Sequence, residues 1–252
     1  MQKTDVTQPS AFGHNLALKS SRSFPSSGGS PATPPPQQNG PSGGAGATGI
    51  RGTISSAIAL VRSPASFIEA NKDTTSTVSG IMLKYVAVLA AIPFIATLIG
   101  DLWYYALFVP FGFGLSGSIY TYAFVAAILT YVLDIVAVYV LAIVIKMLAP
   151  TFNSTVDQVK SLKLAAYIFT PAFLIAILDI IPLLGIVTIL GVLYGLYILY
   201  IGLPIMLTTP KEKVVTYVVA VVVATLVIYL VIGAIIGVAT SAILVRSLGY
   251  FY

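Results

Sequence analysis

From Leu164 to Pro210 the chain is apolar almost without interruption, and no charged residue lies between Asp179 and Lys211. This exceeds what a buried core helix requires, and a bilayer crossing takes about 20 apolar residues. The stretch predicts two membrane helices joined by a short turn at Asp179–Gly185. Similar runs predict five spans at about 81–100, 119–148, 164–181, 183–207 and 214–245. The second and fifth exceed the minimum, so they are expected to tilt or project. Pro93, Pro171 and Pro204 fall at helical positions where a missing N–H bends the axis. The fold class predicted is all-α: a polytopic bundle of five transmembrane helices over residues 81–252.

Two different patterns precede the spans. Residues 51–80 open with Ile54, Ala57, Ile58, Val61, Ala65 and Ile68 near helical spacing, while Arg62, Ser63, Ser66 and Glu69 fall largely elsewhere. That is an amphipathic segment, interrupted or restarted at Pro64. It fits a helix lying in the membrane interface and equally a packed helix covering one end of the bundle. Residues 1–50 are rich in Gly, Pro, Ser and Gln, include Pro34-Pro35-Pro36, and have few aliphatics. Such a tail cannot bury enough apolar area to offset its ordering entropy, so it is predicted disordered. No apolar core of signal-peptide type follows its charges. A flexible docking arm for a cytoplasmic protein is its functional reading.

Composition removes most chemistry. The chain is 58% hydrophobic and 8% charged, against about 25% charged in soluble domains. Cysteine is absent, and the one histidine, His14, lies in the polar tail. Thiolate catalysis, disulfides and cysteine- or histidine-held metals are thereby discounted. No cofactor and no nucleic acid are expected, and the chain is expected not to be an enzyme. The arrangement of charge gives an orientation. Arg51, Arg62, Lys72 and Lys84 precede or begin the first span, Lys146, Lys160 and Lys163 bracket the second loop, and Lys211 and Lys213 occupy the fourth. The other two loops, Asp101–Ser118 and Asp179–Gly185, carry no Lys or Arg. The positive-inside rule puts the amino terminus in the cytoplasm and the carboxyl terminus outside, with Arg246 the one dissenting charge. Trp103, Tyr104, Tyr105 and the closing Tyr250-Phe251-Tyr252 then fall at the outer aromatic belt.

Asp134, mid-way along the second span, is the strongest candidate site. A carboxylate there costs about 2.5–3.5 kcal/mol. Thirteen aliphatic neighbours, at about 0.3–0.6 kcal/mol each, carry the span into the bilayer regardless. The aspartate must face the bundle, with Thr130 one turn away and Tyr167, Tyr194 or Tyr197 on neighbouring spans as partners. It reads either as a proton or cation site or as a polar tie between helices. Asp101 and Asp179 read as interfacial turn residues. Gly191-Val-Leu-Tyr-Gly195 and Gly233-Ala-Ile-Ile-Gly237 are small-xxx-small patterns that let backbones approach, within the bundle or between copies. Gly112-Phe-Gly-Leu-Ser-Gly117 spells a dinucleotide fingerprint, but that motif works only between a strand and a helix, and here it is a loop. Asn153-Ser154-Thr155 spells a glycosylation sequon on the predicted inner side.

Several of these residues resemble the Yip family of Ypt/Rab GTPase-interacting membrane proteins, over about Leu60 to Val245. A tail precedes five closely spaced spans. The third span reads Ala165-Ala166-Tyr167-Ile168-Phe169-Thr170-Pro171, the fourth leaves through Tyr194-Gly-Leu-Tyr and Gly202-Leu-Pro, and Leu60-Val61-Arg62-Ser63-Pro64-Ala65-Ser66-Phe67 is similar to the opening segment of prokaryotic members. The eukaryotic Asp-Leu-Tyr-Gly-Pro signature is absent, and Asp101-Leu102-Trp103-Tyr104 falls after the first span, so a prokaryotic-type member is the closer likeness. The resemblance implies an all-helical domain and, in eukaryotic relatives, a part in vesicle transport between endoplasmic reticulum and Golgi through GTPase and fellow-family partners. The function expected is a non-enzymatic membrane adaptor or membrane-organising factor. Its partners would be the lipid bilayer, a cytoplasmic protein met by the tail, and a homo- or hetero-oligomer. In a prokaryote it would occupy the cell membrane. A small ion-coupled transporter centred on Asp134 is the competing expectation.

Overall fold

Residues 49–108 and 118–248 are described by the computed structural model, and among them every regular element is helical. The tail, the Gly112–Gly117 motif and Tyr250–Tyr252 lie outside the described residues. In chain order the elements are α1 (Ile50–Arg62), α2 (Pro64–Asn71), α3 (Val78–Ile81), α4 (Ala87–Phe108), α5 (Ser118–Leu148), α6 (Gln158–Ile175), α7 (Thr188–Leu207) and α8 (Lys211–Leu248). A π-helical turn, Met82–Val86, joins α3 to α4, so the three form one continuous span. Five helices are long and apolar enough to cross a membrane: Val78–Tyr104, Tyr120–Phe152, Gln158–Ile180, Leu183–Leu207 and Lys211–Ser241.

The helix starts follow from their capping residues. The Thr77 hydroxyl accepts from the Gly80 N–H (3.1 Å) and opens the first span. Asp157 accepts from the Lys160 N–H (2.7 Å) and opens α6. Each satisfies an amide that the first turn leaves without a carbonyl. Pro93, Pro171 and Pro204 all sit inside unbroken helices. The α5–α6 and α7–α8 loops are laced to each other. Ser154 and Thr209 hydroxyls pair at 2.8 Å, Thr155 and Thr208 at 3.1 Å, and the Thr155 N–H donates to Leu207 O (3.2 Å). Asn153 and Thr208 take left-handed backbone there (φ 54° and 51°). Asparagine tolerates this readily; the β-branched threonine does not, and its bonds to Thr155 and Leu207 O hold it.

Helix α6 is the axis of the bundle. It packs against α4, α5 and α7, with α1 and α3 also touching it. Ser161 through Tyr167 are buried without a break, and Phe169, Thr170, Pro171 and Phe173 follow. The α6–α7 contact is close because glycine lines it. A Cβ at Gly191 would lie 2.8 Å from Ala172 Cα, one at Gly195 would overlap Ile168 O, and one at Gly202 would meet the Leu164 side chain. Helix α8 rests mainly on α5 and is otherwise the least covered span. Tyrosines tie the layers through backbone carbonyls: Tyr131 to Ala87 O (3.2 Å) and Tyr217 to Ile145 O. At the opposite end the short 3-10 turns Ala176–Ile180 and Pro182–Val187 connect α6 to α7, and Gly100 of α4 abuts Asp179 O.

Candidate functional site

Helices α1 and α2 form a collar on the flank of α6. The chain breaks between them because Pro64 has no N–H and starts a new helix at its first position. Each end of the collar leaves carbonyls that no intrahelical amide can meet. Side chains of the bundle supply the missing donors. Tyr194 of α7 donates to Val61 O at 2.7 Å. The ammonium of Lys163, itself only 1% exposed, donates to Asn71 O (3.2 Å), Thr74 O (2.5 Å) and the Thr74 hydroxyl (2.9 Å). At the start of α1 the Thr53 hydroxyl donates to Lys84 O (2.7 Å) in the π-helical turn. Aromatic packing completes the seat. Phe67 and Tyr85 both meet the Tyr167 ring edge-on at 5.6 and 6.0 Å, and the Tyr85 and Thr170 hydroxyls pair at 2.9 Å. Outside, Lys160 bridges to Asp73 (2.9 Å) and Lys72 to Glu69 (2.6 Å). The Lys160 ammonium holds the Asp73 carboxyl below the ordinary carboxylate range, and the Glu69 hydrogen bond holds Lys72 above the ordinary ammonium one.

Contacts show how the collar lies. Tyr85 meets Thr170, and Gly195 abuts Ile168. Thr53 near the start of α1 bonds Lys84 O, and Val61 O at its end accepts from Tyr194, so α1 reaches from the first span to α7. Eight residues of helix cover about 12 Å, enough with side chains to bridge from α4 past α6 to α7. Helix α2 then turns along α7, from Phe67 beside Tyr167 to Asp73 at Lys160. The segment packs against α4, α6 and α7. The helix faces differ from expectation. Thr53, Ser56, Ala57 and Leu60 face inward, whereas Ile54 and Ile58 lie on the exposed face with Arg51, Ser55 and Arg62.

Asp134 is 8% exposed, within α5. It makes no hydrogen bond among the described residues, and the predicted partners are placed elsewhere. Tyr167 packs with Phe67 and Tyr85, Tyr194 is engaged with Val61 O, and Tyr197 is half exposed with its ring 5.7 Å from Tyr194. Thr130, one turn away, is partly exposed and does not bond to it. Tyr229 of α8, whose ring lies 6.1 Å from Phe169, is near enough to feel the Asp134 charge. Sequence reasoning missed Tyr229 because it follows from the pairing of α5 with α8. Asp179 accepts from the Thr188 hydroxyl (3.1 Å) at the α6–α7 turn. The two glycine patterns differ. Gly191 and Gly195 are filled by α6, whereas a Cβ at Gly233 or Gly237 would meet no atom within 4 Å. Among the described residues the second pattern is therefore not a packing contact.

Five apolar spans around a buried helical axis define an integral multi-pass membrane protein. The Yip1 domain model matches residues 58–247, from α1 to the end of α8, and the chain belongs to that family. No curated protein and no solved structure matches it.

Proposed function

We propose that the protein is a non-enzymatic membrane adaptor or membrane-organising factor of Yip type. The carrying observation is the Yip1 domain match from the last part of α1 through all five spans. The collar supports the reading, since Tyr194 fixes it to the spans and Lys163 holds it toward the end where Lys146, Lys160, Lys211 and Lys213 gather. That basic end faces the cytoplasm under the positive-inside rule, and the tail meets its protein partner there. Association with further copies or fellow-family members belongs to the same reading. The test is capture of the tagged full chain from its native membrane in mild detergent, beside a chain lacking residues 1–48. Partners of the full chain that the shortened chain loses support the adaptor role. Identical recovery from both removes the tail from it.

A second reading rests on Asp134, a buried carboxyl without a hydrogen bond among the described residues: ion-coupled transport. It predicts a proton or cation flux in proteoliposomes that Asp134→Asn abolishes. A wild-type chain that moves none of a panel of monovalent cations or protons contradicts it.

A further inference from the structure

The exposed face of α1 is unusual for a helix beside water. Arg51, Ile54, Ser55, Ile58 and Arg62 share it, with Ile50 alongside at 65% exposure. Two arginines thus bracket a row of bare isoleucines. Lys84 is exposed beside the Arg51 end, its carbonyl held by Thr53. Leu83, next to it, is 71% exposed. No acidic residue occurs between Arg51 and Ile68, nor between Thr74 and Gly100. The first carboxylates beyond, Glu69 and Asp73, are already paired with Lys72 and Lys160. The three cations therefore have no counter-charge within the chain among the described residues.

We propose that this face, with Lys84, seats anionic phospholipid of the surrounding bilayer. Each part has a reason. The isoleucines need hydrocarbon, since water beside them is unfavourable. The arginine and lysine stems reach along that apolar surface and carry their charges outward to headgroup level. Guanidinium groups match phosphate oxygens through paired N–H donors. The inference goes beyond the proposed function and holds whether or not the tail recruits a protein.

Two measurements test it on the full chain. In the first, protein from nanodiscs of 30% phosphatidylglycerol in phosphatidylcholine is washed in detergent, and its retained lipid is identified by native mass spectrometry. Wild type should retain phosphatidylglycerol over phosphatidylcholine. R51Q/R62Q/K84Q should lower that preference by roughly fivefold per charge removed, while R62K, which keeps the charge and loses only the paired donors, should lower it by less than about fivefold. An unchanged preference in the triple variant overturns the proposal. In the second, the absence of native cysteine allows a single spin label at Ser55→Cys, with all three cations in place. Power saturation should show access to oxygen and exclusion of a water-soluble nickel chelate. Free access to the chelate would mean that α1 faces water, and the proposal fails.

Discussion

The two glycine pairs make opposite predictions although they are spelled alike. At Gly195 a Cβ would collide with the Ile168 carbonyl oxygen, and at Gly191 it would stand 2.8 Å from Ala172 Cα. Both obstacles are backbone, so α6 and α7 must separate along a contact that otherwise has no slack. Overpacking of this kind costs about 1–3 kcal/mol per site. Alanine returns about 1 kcal/mol through its better helix propensity. Gly191→Ala with Gly195→Ala should therefore destabilise by up to ~4 kcal/mol. Gly233 and Gly237 face open space, so only the propensity gain applies there. Gly233→Ala with Gly237→Ala should be neutral or stabilising by up to ~2 kcal/mol. The assay is the midpoint of SDS-induced unfolding in mixed micelles, followed by circular dichroism. Equal losses for the two pairs, or an undisturbed G191A/G195A chain, would refute the packing argument.

Lys163→Met should leave Thr74 O without its donor, while Asn71 O keeps the Thr74 hydroxyl, at a cost of about 1–3 kcal/mol, seen as faster hydrogen exchange across residues 64–77 with the spans unchanged. Tyr194→Phe should loosen the other end of the collar by about 0.5–1.5 kcal/mol, with exchange rising around Val61. The Asp73–Lys160 bridge gives a sign for pH. Because the Asp73 carboxyl is held below its ordinary value near 4, its contribution is full above that value and is lost as pH falls through the lowered one. Asp73→Asn should remove this acid-dependent rise in exchange across residues 72–77. The effect should be slight, since the pair is exposed.

The spans were legible because crossing a bilayer demands long apolar runs, a constraint that few other structures satisfy. Asp134 was legible for the converse reason, a lone carboxyl in such a run. Its surroundings were not, because they depend on which helices become neighbours. Tyr229 lies near it on α8, while Tyr194 is committed to the collar. The collar was half legible. Its break at Pro64 follows from the missing N–H. Its faces do not, since Ala57 and Leu60 pack inward while Ile54 and Ile58 turn outward. In a membrane both sides of a helix can be apolar, so periodicity alone does not say which side packs. Lys163 reads as a loop charge beside Lys160, yet it lies buried in the second turn of α6, where its ammonium meets Asn71 O at the end of α2 and Thr74 O just beyond it. The π-helical turn at Met82–Val86 has no sequence signature of its own.

The most direct test of the whole account is side-specific labelling of single cysteines in sealed proteoliposomes, for which the cysteine-free chain is suited. Thr155→Cys in the α5–α6 loop and Leu183→Cys in the α6–α7 turn are both exposed positions at opposite ends of the spans. The account predicts that a membrane-impermeant maleimide reaches them from opposite sides, and that Ser55→Cys on the collar is shielded from both. Labelling of Thr155→Cys and Leu183→Cys from the same side, or rapid labelling of Ser55→Cys, would contradict a five-span bundle carrying its collar in the membrane.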